Sequence, residues 1–404
     1  MLDDNLITGP NKQELTEEKE AILKQFPGSS ISVETRKDSE GLTWLAIDFL
    51  GADVHYCREK CEMRIDMKTY IWKQLKRFQI EVPKPVWSPN FDEENLAKKT
   101  EKKKGKEIPL ETYPDFPSRS IVGALQWVVC VARPDLTVPV NVLAKYVAEP
   151  ATKYFIKAAK KIFRFLATTD SLGITYSPEN EQKFNAIYGE LLPTGKQLPD
   201  VSLFSDASFA NCLKTMRSTS GCIIYYKGTP IAWRTLRQGV RAYSTAESEY
   251  IAASDIIVLS EANDFLDFYR PIPSKLAVEN FGVFTNPSES ILWIDNQSAI
   301  ATSKSDDLKP KSRHYALRYL RVRDFAEQVV FCPTNLMKAD ALTKLTTSVE
   351  QRNLVLHHVN NPRINVKSDA NEQEGSSDDE PTPSYADFKL SRPKKRRKVQ
   401  PVQR

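Results

Sequence analysis

An apolar run with an acid in its middle, Leu203-Phe-Ser-Asp206-Ala-Ser-Phe-Ala, constrains this chain more than any other stretch. It reads as a buried strand. A lone buried carboxylate is costly, so a useful Asp206 needs a metal ion, a cation or a raised pKa. The same oddity recurs three times. Ser244-Thr-Ala-Glu-Ser-Glu249-Tyr-Ile-Ala-Ala opens a helix, Ile291-Leu-Trp-Ile-Asp295 ends an apolar strand on an acid, and Lys338-Ala-Asp340-Ala-Leu-Thr starts a late helix. Taken singly, an acid at a strand end or helix start is a cap or turn residue. Four of them on separate elements point to one cluster. Convergent carboxylates repel unless divalent cations sit between them, and two hard cations about 4 Å apart activate water and steady the leaving oxygen in phosphodiester cleavage.

The order of these elements adds a second constraint. A strand with Asp, a strand, a Trp-containing strand, a helix with Glu, a strand with Asp, a helix, a strand and a helix with Asp together resemble the RNase H fold. The wording is closer to one branch. Ser205-Asp-Ala-Ser-Phe-Ala, Arg217-Ser-Thr-Ser-Gly221, Ala232-Trp-Arg-Thr-Leu-Arg-Gln238, Ser244-Thr-Ala-Glu-Ser-Glu-Tyr-Ile-Ala252, Asp295-Asn-Gln-Ser-Ala-Ile300 and Ala339-Asp-Ala-Leu-Thr-Lys344 resemble the RNase H domain of copia-type (Pseudoviridae) LTR retrotransposon Pol polyproteins. The resemblance implies an α/β, RNase H-like domain over 198–348, with a mixed five-stranded sheet and helices. It also implies that Asp206, Glu249, Asp295 and Asp340 are catalytic and hold two Mg²⁺ or Mn²⁺ ions, Asp206 bridging both, Glu249 and Asp295 on one, Asp340 on the other. The implied reaction is hydrolysis of the RNA strand of an RNA–DNA hybrid. Periodicity does not decide between Glu247 and Glu249; the family pattern of an acid followed by a hydrophobe, a variable residue and Ala selects Glu249. An all-oxygen set without paired His or Cys suits Mg²⁺ or Mn²⁺ better than zinc.

Two departures from the pattern stand out. Cellular RNases H keep a His in the loop before the last Asp, and Phe331-Cys-Pro-Thr-Asn-Leu-Met-Lys-Ala has none, so slower product release is expected with the reaction retained. Lys311-Ser-Arg313-His314-Tyr-Ala-Leu-Arg318 resembles the family's Lys-His-Ile-Asp-x-Arg helix with Ala316 in place of its Asp, which makes His314 a structural or backbone-contacting residue.

Upstream, Met1-Leu-Asp3-Asp4 resembles the Tyr-x-Asp-Asp hairpin of a reverse transcriptase palm. An amphipathic helix is expected from Asn11 to Phe26. Leu45-Ala-Ile-Asp-Phe-Leu-Gly51-Ala-Asp-Val-His-Tyr alternates into a hairpin with Glu62-Met-Arg-Ile-Asp, and a basic helix follows from Met67 to Phe78. Residues 1–80 therefore resemble a palm remnant, and the fingers and the first catalytic Asp are not among them. Two-metal nucleotide addition needs that carboxylate, so this chain is not expected to polymerise.

Residues 81–117, Pro-rich and carrying Lys98-Lys-Thr-Glu-Lys-Lys-Lys-Gly-Lys106, show no apolar periodicity and read as a mobile linker. Over 118–180, Ser118-Arg-Ser-Ile-Val-Gly123 and Ala132-Arg-Pro-Asp135-Leu resemble family motifs, helices are expected over 141–146 and 152–166, and the second presents Lys153, Lys157, Lys160, Lys161 and Arg164 around an apolar stripe. The resemblance makes this a helical thumb or connection that holds template and primer by their backbones; the plainer reading is a basic surface helix. Gly173-Ile-Thr-Tyr176 and a loop up to Asp200 lead into the RNase H-like unit.

From 366 to 404 the composition is that of a disordered tail, ending in Lys394-Lys395-Arg396-Arg397-Lys398. A short exposed cluster of this kind has the form of a nuclear import signal read by an importin, so nucleus and cytoplasm are the expected locations, or a virus-like particle if the chain is part of an intact element. The remainder of the polyprotein is an implied partner. No apolar run approaches the ~20 residues of a membrane span and no signal-peptide pattern opens the chain, so a soluble protein without a membrane partner is expected. Six scattered cysteines do not make a disulfide framework, and Cys57 and Cys61 flank an expected turn with no matching pair for zinc. A net charge of +5 is mild, so nucleic-acid binding depends on where Lys and Arg sit. The competing class is a decayed or host-retained fragment that binds nucleic acid without turnover.

Overall fold

The computed structural model describes residues 12–26, 28, 33–103, 106–212, 215–267, 290–304, 316–345 and 355. The N-terminal part runs α1 (Lys12–Gln25), β1 (Glu34–Lys37), β2 (Thr43–Phe49), β3 (Ala52–Cys57), β4 (Glu62–Asp66) and α2 (Lys68–Arg77). The strands pair antiparallel in that order. Leu50 and Gly51 turn the chain between β2 and β3, both at positive φ (54° and 83°), a conformation that glycine tolerates best. Cys57 is buried at the end of β3 and Cys61 exposed beside β4, and all six cysteines are free thiols.

Residues 81–117 are not the structureless linker that composition predicts. They hold α3 (Glu93–Ala97), a hairpin of β5 (Thr100–Lys103) and β6 (Lys106–Pro109), and the short β7 (Thr112–Tyr113). Asp92 caps α3 by accepting from the Glu94 N–H at 2.9 Å. Leu96 and Phe116 reach the N-terminal core, so a few apolar residues anchor a polar segment.

That core is built by helices. α4 (Ser118–Val131), α5 (Thr137–Ala144), the strand β8 (Ala151–Thr152) and α6 (Lys153–Thr168) follow in order. In α6, Phe155, Ile156, Ala159, Ile162, Phe163 and Leu166 recur at helical spacing and are all buried. Thr152 Oγ1 caps the helix on the Phe155 N–H at 3.4 Å. α6 packs against α2, α4 and α5, and the chain then returns to the first sheet through β9 (Ile174–Tyr176), which pairs with β4.

The segment expected to loop from Tyr176 to Asp200 contains α7 (Pro178–Gly189). Ser177 Oγ accepts from the Asn180 N–H at 3.2 Å and Pro178 occupies the first turn, so the start signals are local. The second unit then runs β10 (Val201–Ser208), β11 (Thr219–Tyr226), β12 (Thr229–Arg237), α8 (Thr245–Asp267), β13 (Ser290–Ile294), the helices Gln297–Ser303 and Ala316–Asp324, and β14 (Val329–Phe331). Sheet order is β12-β11-β10-β13-β14, the first three antiparallel and the last two parallel to β10. This is an α/β unit with the mixed five-stranded sheet and helices that the sequence resemblance implies. β10 is central and covered on both faces, which is why it reads as a continuous apolar run. On one face, Tyr250, Ala253, Ile256 and Ile257 of α8 meet Leu203, Ile224 and Leu292; on the other, Phe184 and Tyr188 of α7 meet Phe204, Tyr225 and Trp293.

Hydrogen bonds join the two units along β12. Trp233 Nε1 donates to the Val129 carbonyl at 3.0 Å, and Asn141 Nδ2 to the Thr235 carbonyl at 3.3 Å. No helix among the described residues is long and apolar enough to cross a membrane.

Candidate active site

Asp206 sits on the central strand, Glu249 in the second turn of α8, and Asp295 directly after β13. One carboxylate oxygen from each lies within 4.8 Å of the other two. Local structure explains the convergence. Asp206 pairs in register with Gly221 on β11. A Cβ at Gly221 would lie 2.8 Å from the Ala339 carbonyl and 2.7 Å from Thr343 Cγ2, so only glycine lets the Asp340-bearing turn approach the strand. Glu249 is placed through a buried network: Gln238 Nε2 donates to the Ser248 carbonyl at 2.8 Å and to Ser220 Oγ at 3.1 Å, and Ser220 Oγ donates to Asp255 Oδ2 at 2.8 Å. The first turns of α8 are thereby fastened to β11. Asn296 caps the helix after Asp295 by accepting from the Ala299 N–H at 3.0 Å.

The geometry separates the two competing glutamates. Glu247 Oε2 accepts from the Tyr243 N–H at 2.8 Å while the Glu247 N–H donates to Ser244 Oγ at 3.1 Å. These reciprocal bonds resemble a capping box and occupy Glu247 at the helix start. Glu249 joins the acid group, and its Oε2 is buried and accepts no hydrogen bond from the described residues.

Asp340 lies on a single 3-10 turn, Asp340–Leu342, rather than opening the longer helix that the sequence predicts. Its carboxylate is not one of the three that converge within 4.8 Å; it pairs instead with Lys344, four residues on. It remains close enough for its charge to raise the pKa values of Asp206 and Asp295. Thr343 Oγ1 lies 2.6 Å from Asp206 Oδ2 and 2.9 Å from the Asp340 carbonyl, so its single proton serves one of them at a time. Thr334 Oγ1 donates to Asp295 Oδ2 at 3.2 Å. Sequence reasoning passed over Thr343, Thr334 and Lys344. For the first and last, the signal was their spacing of three and four from Asp340 in one turn.

Burial dominates the electrostatics. It pushes Asp206 up to about 6, with the charges of Asp295 and Asp340 adding to the rise against the Thr343 hydrogen bond. Burial and the charges of Asp206 and Asp295 push Glu249 up to about 9. Asp295 is also raised, by burial first. Such a group is short of positive charge, and the orphaned Glu249 oxygen gives a divalent cation a ligand atom that nothing else uses. Cys332, which feels the Asp295 charge, is pushed up to about 12 by burial, so its thiol keeps its proton near neutral pH.

Because the folded state holds these protons where the unfolded chain has lost them, stability without a divalent cation is full below the ordinary carboxylate range. It then falls as pH rises toward about 6 for Asp206 and about 9 for Glu249. Urea unfolding with a chelator present should accordingly show lower stability at about pH 9 than at about pH 5, and Mg²⁺ should narrow the gap. Equal stability with and without Mg²⁺ at the higher pH would contradict the assignment.

Several sequence-derived sites lie outside the described residues: Asp3 and Asp4, the Lys311–Arg313 and His314 stretch, and the cluster Lys394 to Lys398. On α6, Lys157 is exposed and Lys160, Lys161 and Arg164 are half-buried; Arg164 Nε donates to the Glu81 carbonyl at 3.0 Å, so part of this basic face is engaged within the chain.

No family model matches the chain. A retrovirus-related Pol polyprotein from transposon TNT 1-94 of Nicotiana tabacum is 25% identical over 352 residues, covering 85% of this chain and 23% of its own length. A retrovirus-related Pol polyprotein from transposon RE2 of Arabidopsis thaliana is 25% identical over 356 residues, covering 87% of this chain and 21% of its own. The chain thus spans less than a quarter of the length of these relatives. A protein called secreted RxLR effector protein 161, from Plasmopara viticola, is 30% identical over 141 residues, 35% of this chain and 87% of its own. Among solved structures, the N-terminal RNase H domain of a Mycobacterium tuberculosis protein, fused to maltose-binding protein, is 12% identical with a TM-score of 0.24, covering 35% of this chain and 89% of that one.

Proposed function

We propose that the second unit of this chain, which over most of its length is similar to the Pol polyproteins of copia-type retrotransposons, hydrolyses the RNA strand of RNA–DNA hybrids with Mg²⁺ or Mn²⁺. The observation that carries this reading is the convergence of Asp206, Glu249 and Asp295 within 4.8 Å, with Glu249 Oε2 buried and unbonded. Asp340, on the turn packed against Gly221, is proposed as the fourth ligand. Divalent cations bound there would polarise the scissile phosphate and lower the pKa of the attacking water. Thr343 and Thr334 orient the carboxylates of Asp206 and Asp295. Lys344, half exposed beside Asp340, sets a positive charge at the edge of the acid group.

The substrate reading rests on chemistry that distinguishes strands. A ribose 2′-OH is the group by which a protein separates RNA from DNA at a given site. Purified protein with Mg²⁺ should therefore cut the labelled RNA strand of a hybrid and leave duplex DNA of the same sequence intact. Equal cutting of both would replace the proposal with a general nuclease. Hybrid binding without cutting would favour the non-enzymatic fragment. A chain of these 404 residues is also proposed to extend no primer, and template-directed dNTP incorporation would overturn that part.

The cluster Lys394 to Lys398 is proposed as an import signal. An importin groove reads such peptides in extended form, with Coulomb attraction supplying much of the binding. Residues 385–404 fused to a reporter should carry it into the nucleus, and Lys395→Ala with Arg396→Ala should leave it cytoplasmic. Even distribution with the intact segment would reduce the cluster to a non-specific RNA-binding end.

A further inference from the structure

Behind the acid group, α7 and the segment leading to Asp340 meet around one side chain. Lys338 is fully buried, and its Nζ lies 4.6 Å from the ring centroid of Tyr225 and 5.6 Å from those of Phe184 and Tyr188. Two residues earlier, the Leu336 carbonyl accepts from the Tyr188 hydroxyl at 2.7 Å. Phe184 and Tyr188 are one turn apart on α7, and their rings continue onto the sheet. Tyr188 is 5.1 Å from Phe204 and 5.4 Å from Trp293 between ring centroids. Phe204 is two residues before Asp206, and Trp293 two before Asp295. Gly228 makes room for this packing, since a Cβ there would come within 2.6 Å of Phe184 Cβ.

The contacts therefore run from a helix in the connecting segment, through the apolar face of the sheet, to the residues immediately before Asp340. A helix that only covered apolar surface would need its rings and not its hydroxyl. Tyr188 spends a buried O–H on a loop carbonyl, and Lys338 threads its side chain between rings from two different elements.

We propose that α7 is a positioning element of the acid site: the Tyr188 hydroxyl and the ring faces of Phe184, Tyr188 and Tyr225 fix residues 336–338, and through them the place of Asp340. The cation-binding consequence rests on the function proposed above; the mechanical one does not.

The test uses the full chain with Tyr188→Phe, which keeps the ring, and Lys338→Met, which keeps the side-chain length. Tyr176→Phe serves as comparison, since that hydroxyl donates to the Pro230 carbonyl at 3.3 Å, at the edge strand. Amide hydrogen exchange over residues 336–343 should quicken about tenfold in Tyr188→Phe, the scale of one lost buried hydrogen bond, while β10 and β11 stay protected. The Mn²⁺ concentration that half-saturates the protein in calorimetry should rise about fivefold, in line with a displaced ligand. Lys338→Met should move both readouts in the same direction, and Tyr176→Phe neither. Unchanged exchange in folded Tyr188→Phe protein would overturn the proposal, whatever Lys338→Met does. Quickened exchange in a chain that, unsubstituted, binds no Mn²⁺ would uphold the positioning role and refute the metal reading, so the two fail separately.

Discussion

Purified Asp206→Asn protein should cleave a hybrid at least about a thousandfold more slowly than the unsubstituted chain, a loss of about 4 kcal/mol of transition-state stabilisation. The substitution preserves volume on a buried central strand and leaves Thr343 a partner, so the fold should persist while the charge that holds a cation is gone. Glu249→Gln should fail similarly. Glu247→Gln makes the sharper comparison, because it lies only two residues away and is just as buried. Its carboxylate serves the Tyr243 N–H, a bond the Gln amide oxygen can also accept, so the substitution removes only a charge at the helix start; it should cost about 0.3–1 kcal/mol and leave cleavage within about threefold. Inactive Glu247→Gln with active Glu249→Gln would reverse the assignment.

The second large effect is on stability, in the N-terminal unit. Arg133 and Asp135 are both fully buried, joined by Nε to Oδ1 at 2.9 Å and Nη2 to Oδ2 at 2.8 Å. The remaining nitrogen, Nη1, donates to the Thr169 carbonyl at 3.2 Å and to its hydroxyl at 3.1 Å, fastening the end of α4 to the end of α6. Arg133→Met leaves the Asp135 charge buried without compensation and should cost about 3–5 kcal/mol. Lysine cannot substitute, because the fork reaches three groups at once. Converting Asp135 to Leu in the same molecule should recover much of the loss, since a matched apolar pair is often neutral relative to a buried ion pair. Urea midpoints of the variants measure this; a change below about 1 kcal/mol for Arg133→Met would show that the clasp is dispensable.

How much of this was legible in the residues varies along the chain. The sheet of the second unit was, because Leu203 to Asp206, Gly221 to Tyr226 and Ile291 to Ile294 combine apolar runs with turn residues, and each acid interrupts such a run or adjoins it. The choice of Glu249 over Glu247 was not legible from periodicity, since both have apolar neighbours one turn on. The Ser-x-x-Glu spacing of a capping box was nevertheless written at Ser244 and Glu247. α7 was missed although Phe184, Ile187, Tyr188 and Leu191 recur at helical spacing, because its first turns are polar and its partners, Phe204 and Trp293, are distant in sequence. The hairpin β5–β6 carried no alternation to read: towards its turn Lys102 faces Glu107 and Lys103 faces Lys106, all charged. Asp340 was expected to open a helix, whereas it lies on a single 3-10 turn held close against Gly221.

The proposed chemistry requires that the converging acids bind a divalent cation and that cleavage of the RNA of a hybrid depend on it. The most direct measurement is the initial rate of RNA-strand cleavage by the purified full chain as Mg²⁺ is titrated in against a chelator, with Asp206→Asn protein prepared identically. The expected rate rises with Mg²⁺ to saturation in the unsubstituted chain, vanishes in the chelator, and stays at background in Asp206→Asn at every concentration. Cleavage that persists in the chelator, or that is equal in the two proteins, would contradict it.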